Sequence, residues 1–174
     1  MNCESDLMPE RPLWAPWRIE YITSPKSSEC IFCAAAAGNG EDAERVVDRG
    51  EHCFTMLNAF PYAPGHVMVA PYRHLGELEE LSSEELPELM RLGSRVVAAL
   101  REAMTPDGFN LGLNLGTVAG AGIADHLHLH VVPRWEGDTN FMPLMADTHV
   151  IPQALEATRD ALTAALAKLS ATES

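Results

Sequence analysis

The chain has 174 residues, 47% apolar and 21% charged, with a formal net charge of −13 at pH 7 and a pI near 4.8. That is the length and composition of one globular domain. No apolar run approaches the roughly 20 residues that a membrane helix requires, and the acidity argues against binding to a nucleic acid polymer or an anionic membrane. The N-terminus lacks a basic start and an apolar stretch, so a cytoplasmic location is expected. In that compartment a disulfide framework among the four cysteines is not expected.

Residues 1–28 are Pro-rich and read as an N-terminal extension, with the cluster Trp14-Ala15-Pro16-Trp17-Arg18 expected to dock on a domain over 29–150. Cys30-Ile31-Phe32-Cys33 has the spacing of a metal knuckle, while Cys3 and Cys53 stand alone, the latter as a small core residue. Ala34–Ala37 reads as a short helix ended at Gly38. Arg45–Asp48 and His52–Leu57 read as strands joined by Arg49-Gly50-Glu51, and Asn58–Gly65 as a loop carrying Pro61 and Pro64. His66–Pro71 is an apolar strand.

Acidic Glu77–Glu80 and Glu84–Glu88 read as solvated helix faces. Ser82-Ser83-Glu84-Glu85 is a capping-box start, and Leu86, Leu89, Met90, Val96, Val97 and Leu100 supply the helical stripe behind it. Phe109–Leu115 alternates as a strand, Gly116–Ala124 is a Gly/Ala-rich loop, and Asp125–Val132 alternates again. Gln153–Leu169 reads as a last amphipathic helix within a C-terminal segment, 151–174. The order predicts an α+β fold, a mostly antiparallel sheet with helices to one side.

Of the seven histidines in the chain, three fall within five positions, His126, His128 and His130. On a strand they would share one face, about 6–7 Å apart, with Leu127, Leu129 and Val131 turned into a core. Such a row can attack phosphorus, bind a metal or relay protons, or simply face water. One ion held by all three rings ranks lower, because strand spacing holds them too far apart for bonds of about 2.0–2.1 Å. The loop before them, Asn114 to Gly122, is built like an anion cradle, since glycine lets backbone N–H groups approach a phosphate. With only Lys26 and Lys168 in the chain, a phosphate site must rest on histidines, backbone amides and helix N-termini.

His126-Leu127-His128-Leu129-His130-Val131-Val132 resembles the motif of the histidine triad (HIT) superfamily, and the likeness runs from about 30 to 135. Leu13–Arg18, Pro133-Arg134-Trp135 and Asn140-Phe141 resemble its branch of diadenosine tetraphosphate phosphorylases and dinucleoside polyphosphate hydrolases. The resemblance implies a five-stranded antiparallel sheet with flanking helices and a twofold homodimer with a continuous sheet. It implies cleavage at the α-phosphate of an adenine nucleotide, such as diadenosine tetraphosphate. His128 would be the nucleophile, through a nucleotidyl-histidine intermediate, and His130 would stabilise the phosphate. Asn58 would hold the ribose, Asn114 the phosphate or ribose, and Gly120, Ala121 and Gly122 the phosphate loop. His66 would support the triad from behind, though alone it reads equally as a strand-start histidine.

By the same resemblance Cys30, Cys33, His74 and His126 would hold a structural zinc, with His52 as the fallback ligand. Trp14, Trp17 and Arg18 would pack on the sheet, stack on an adenine or cover a partner subunit. One departure concerns the loop: members of the family often place Gln or Ser where this chain has Ala121-Gly122, leaving backbone N–H groups or Thr117 to assist the leaving group. Two other readings share these residues, a phosphoramidate or acyl-adenylate hydrolase and a non-enzymatic nucleotide-binding or zinc-scaffold module.

Overall fold

The computed structural model describes residues 29–138 and 155–172; the cluster at 14–18, Cys3 and Asn140-Phe141 lie outside the described residues. Helix α1 (Ile31–Ala37) winds from Cys30 and stops at Gly38, whose φ of 79° is the left-handed conformation that closes a helix. A short α2 (Gly40–Glu44), which the sequence did not announce, leads into β1 (Val46–Arg49). Strands β2 (Cys53–Leu57), β3 (Val67–Pro71), β4 (Gly108–Leu113) and β5 (Leu129–Arg134) complete an antiparallel sheet in the order β1-β2-β3-β5-β4. Helices α3 (Glu85–Met104) and α4 (Leu155–Thr172) cover one face.

Strand alternation sorts the side chains into two layers. Leu57, Val67 and Val131 meet Val96, Ala99 and Leu100 of α3 and Leu162, Ala165 and Leu166 of α4. On the opposite face Phe54, Met56, Met68 and Ala70 pack against Phe32 and Ala35 of α1. Strands β2 and β3 are buried along their whole length, as expected for strands covered on both faces. His130 stands opposite Met68 in the β3–β5 register, so it emerges on the α1 side, beyond the reach of the two long helices.

Three expectations need correction. The histidine segment becomes a strand at Leu129 rather than Asp125; before it, the Leu127 N–H donates to the Leu75 carbonyl at 2.7 Å. Leu86 and Met90 face outward at 47% and 51% exposure. Glu85 and Glu88, read as solvated, are buried. One cause serves for the last two: the inner face of α3 follows Glu85, Glu88, Leu89 and Leu92, one helical stripe. Glu88 reaches into the β1–β2 turn, where its carboxylate accepts the N–H groups of Glu51, His52 and Cys53, donors that would otherwise be orphaned.

Glu85 closes the reciprocal cap expected at this helix start. The Ser82 Oγ accepts the Glu85 N–H at 3.1 Å, and Glu85 Oε2 accepts the Ser82 N–H at 2.8 Å. The Arg73 guanidinium bonded to Glu85 outweighs the burial that opposes ionisation and, with the Ser82 N–H, holds its carboxyl at about 2, against an ordinary 4.5. A carboxyl with a depressed folded-state pKa stabilises the fold above its unfolded value, and that stability drains away as pH falls from 4.5 toward 2. Glu85→Gln should therefore lower Tm at pH 7 and flatten the acid limb in that window. A Tm–pH curve parallel to wild type would contradict the assignment.

Strand β4 forms one edge of the sheet and exposes Leu111; the pairing of two copies expected from the sequence would use such an edge. No helix among the described residues is long and apolar enough to cross a membrane.

Candidate active site and metal centre

Three backbone carbonyls or amides decide how the histidines can act, because a carbonyl only accepts and an amide only donates. The His126 Nε2–H donates to the Pro71 carbonyl at 3.0 Å, which leaves its Nδ1 lone pair facing Cys30 Sγ at 3.3 Å and Cys33 Sγ at 3.7 Å. The His128 Nδ1–H donates to the His126 carbonyl at 2.7 Å, so its Nε2 keeps the lone pair. The Tyr62 N–H donates to His66 Nδ1 at 3.1 Å, a nitrogen that Asn58 Nδ2 also approaches at 3.3 Å. The His66 Nε2–H must then donate to His130 Nδ1, 2.9 Å away, which leaves the proton of neutral His130 on Nε2. Side by side stand a nitrogen that can attack and a nitrogen that can donate.

Burial favours the neutral form of His126 and His128. It pulls the His126 pKa down to about 4, with the bond to Pro71 opposing it, and lowers that of His128 against the opposing bond to the His126 carbonyl. Phe32, fully buried between the two cysteines, lays its ring 4.9 Å from the His126 ring and 4.7 Å from the His128 ring. The His128 and His130 rings lie 4.7 Å apart, nearer than strand spacing led us to expect, because His128 precedes the regular strand. Gly76 is needed for this arrangement: a Cβ there would stand 2.9 Å from the Ala124 carbonyl oxygen.

Ligand atoms of Cys30, Cys33, His74 and His126 all lie within 4.8 Å of one another, a possible metal site. His52, the fallback ligand, is not part of this cluster; its N–H serves Glu88. Two soft sulfurs and two imidazole nitrogens form a Cys₂His₂ donor set, which fits tetrahedral zinc. His74 Nδ1 lies 3.3 Å from Cys33 Sγ, and its Nε2 faces Asp125 at 3.6 Å, the carboxylate–histidine arrangement that orients metal ligands. Burial and the neighbouring Cys30 push the Cys33 thiol up to about 11, so metal uptake must displace protons.

The glycine-rich loop is more closed than its sequence suggests. The amides of Ala119 and Ala121 both return to the Gly116 carbonyl, and that of Gly120 to Thr117, around the turn Thr117–Ala119. Gly116, with φ 77° and ψ 163°, adopts a conformation essentially reserved for glycine. Asn114 borders the loop: its Nδ2 lies 4.0 Å from where a Gly120 Cβ would stand. Asn58 folds its own loop, Oδ1 accepting the Phe60 N–H at 2.8 Å while Nδ2 faces His66. Sequence reading overlooked Tyr62, Phe32 and Asp125. Phe32 lay in view between the two cysteines, whereas nothing in the local sequence distinguishes Tyr62.

A five-stranded antiparallel sheet carrying a polarised histidine row beside a Cys₂His₂ cluster defines a histidine-centred α+β domain. A family model described as the HIT domain matches residues 39–137, and the chain belongs to that family. It is 42% identical over 155 residues to a Mycobacterium tuberculosis protein named AP-4-A phosphorylase, a match covering 84% of this chain and 80% of that one. Among solved structures, a Zn-bound histidine triad family protein from Mycobacterium smegmatis superposes with a TM-score of 0.67 at 31% identity, covering 83% of this chain and 97% of that chain. A hypothetical histidine triad nucleotide-binding protein from Sulfolobus tokodaii gives a TM-score of 0.65 at 25% identity, covering 80% and 93%.

Proposed function

We propose that this protein cleaves dinucleoside polyphosphates at an α-phosphate by nucleotidyl transfer through His128, with inorganic phosphate as acceptor. The observation that carries the reading is the His128 Nδ1–H bound to the His126 carbonyl, which leaves Nε2 as a fixed, neutral nucleophile. Nε2 attacks the α-phosphorus; an N–P bond forms, and the P–O bond to the rest of the polyphosphate breaks, its electron pair leaving with that oxygen. The His130 Nε2–H is the donor for a nonbridging oxygen as charge gathers there. Phosphate then attacks the same phosphorus and releases His128. With diadenosine tetraphosphate the products are ATP and ADP; with water as acceptor they are ATP and AMP.

The loop favours polyphosphate over phosphoramidate substrates. An amine leaving group needs a proton, and Gly116–Gly122 carries only the Thr117 hydroxyl, with no acidic side chain. A polyphosphate oxygen departs as an anion, phosphate having a second pKa of about 6. The name of the Mycobacterium tuberculosis relative supports both the substrate and the phosphate acceptor. Asn58 is the ribose contact and Asn114 the phosphate or ribose contact in this reading. Cys30, Cys33, His74 and His126 would hold zinc, which supplies a rigid tie between α1 and the segment before β5; the Zn-bound Mycobacterium smegmatis structure supports this.

Incubation with diadenosine tetraphosphate, with and without inorganic phosphate, followed by chromatography, tests the reading. ATP plus ADP in the phosphate arm is the expected result. ATP plus AMP in both arms would replace phosphate by water, and cleavage of adenosine phosphoramidate alone would replace the substrate class.

A further inference from the structure

We infer that Tyr62 is a positioning residue for the transfer reaction, acting through His66 to hold the proton of His130 on Nε2; this rests on the role given to His130 above. Tyr62 lies in the loop after Asn58, outside every motif that drew attention in the sequence. Its ring stacks on that of His66, with centroids 5.1 Å apart and planes 20° from parallel, and meets the His130 ring edge-on at 6.3 Å. One residue thus touches the His66–His130 pair in two ways, by its ring and by its amide on His66 Nδ1.

These contacts depend on each other. Neutral imidazole exchanges readily between two tautomers, and at His66 a donor facing Nδ1 selects one of them. The Tyr62 amide is that donor, and it sits on a loop rather than in the sheet. The stack against His66, itself 1% exposed, anchors the ring and so holds the amide within hydrogen-bond range. Without the ring, the loop amide can drift and water can take its place. His66 then presents either nitrogen to His130. In the wrong tautomer, His66 Nε2 is an acceptor, the His130 proton moves to Nδ1 to meet it, and a bare lone pair faces the substrate. A lone pair there repels a phosphate oxygen instead of binding it. The Asn58 amide group at 3.3 Å is a second donor to the same nitrogen, but Asn58 belongs to the same loop and loses its anchor with it.

The ring protrudes, at 38% exposure, so its removal leaves the core intact. Tyr62→Ala and Tyr62→Phe, each holding its metal, would be compared by nitrogen NMR of the histidine rings and by steady-state kinetics. In wild type His66 and His130 should each show one protonated-type nitrogen, Nε2, and one bare nitrogen, Nδ1. Tyr62→Ala should average these signals and lower kcat about tenfold, the worth of an aromatic pair, with KM little changed. Tyr62→Phe should restore both, since the ring and the amide act, not the hydroxyl. Unaltered tautomers in Tyr62→Ala would overturn the proposal, as would a Tyr62→Phe variant that behaves like Tyr62→Ala. The NMR needs no substrate. If the tautomers shift but wild type turns over no nucleotide, the positioning stands and the transfer reading fails.

Discussion

His128→Ala is expected to lower turnover of diadenosine tetraphosphate by at least about 10⁴-fold, the scale on which loss of a covalent nucleophile is felt. Nothing nearby can take over. His130 has its bare nitrogen turned to His66, and His126 has its own turned to the cysteines. Nucleotide affinity should change little, because the proposed role of His128 is at the reacting phosphorus rather than at base or ribose. Wild type mixed briefly with substrate without phosphate should carry an adenylyl group on His128, seen by mass spectrometry, and the variant none. The pH profile is a second readout. Protonation removes the lone pair, and burial lowers the His128 pKa, so activity should persist below the ordinary histidine value of 6.5 before it falls. An active His128→Ala protein would end the nucleophile assignment. Inactivity of wild type and variant with equal nucleotide binding would favour a binding module.

Loss of the metal is expected to act by a different route, on stability first and on rate second. Protein purified without added metal should contain about one zinc per chain, and Cys33→Ser should weaken binding beyond the 10–100-fold cost of losing an outer-shell partner. Tm should drop with it, since zinc affinity gained on folding is folding energy. The rate should also fall, by about tenfold or more. His126 offers its ring to the cysteines and its carbonyl to His128, and Phe32, carried between the two cysteine ligands, packs on both rings. A loosened cluster therefore frees the His128 ring from both restraints. Metal analysis and thermal melts check the first two points independently of activity. Substoichiometric zinc that Cys33→Ser leaves unchanged would remove the metal centre.

Much of the fold could be read in advance because local chemistry and final packing agree. Gly38 ends α1, Ser82 and Glu85 cap α3, and the apolar runs at 53–57 and 67–71 mark strands that do pair. Half of the metal cluster was legible too, since Cys30 and Cys33 announce themselves by spacing, while His74 and His126 entered through the family resemblance. Other features were hidden for physical reasons. Backbone carbonyls have no letter in a sequence, yet those of Pro71 and His126 set two of the tautomers. The His66–His130 bond spans 64 positions, and no local pattern encodes it. Glu88 looked like surface charge because its partners are amides of a distant turn. Glycine in the 116–122 loop suggested amides offered to phosphate, but three of them close the loop on itself.

Strand β3 ties both centres together: His66, just before it, grips His130, and its last carbonyl, at Pro71, grips His126. Inserting or deleting one residue between them would reverse the side chains on one half of the strand and put one of the two partners out of reach. Length is therefore frozen there. The turn at Thr117–Ala119, where Val118 stands clear of the protein, is under no such constraint. A change of length in that turn would leave the His66–His130 and Pro71–His126 bonds as they are, so the two ends of the site differ in how much alteration their backbone tolerates.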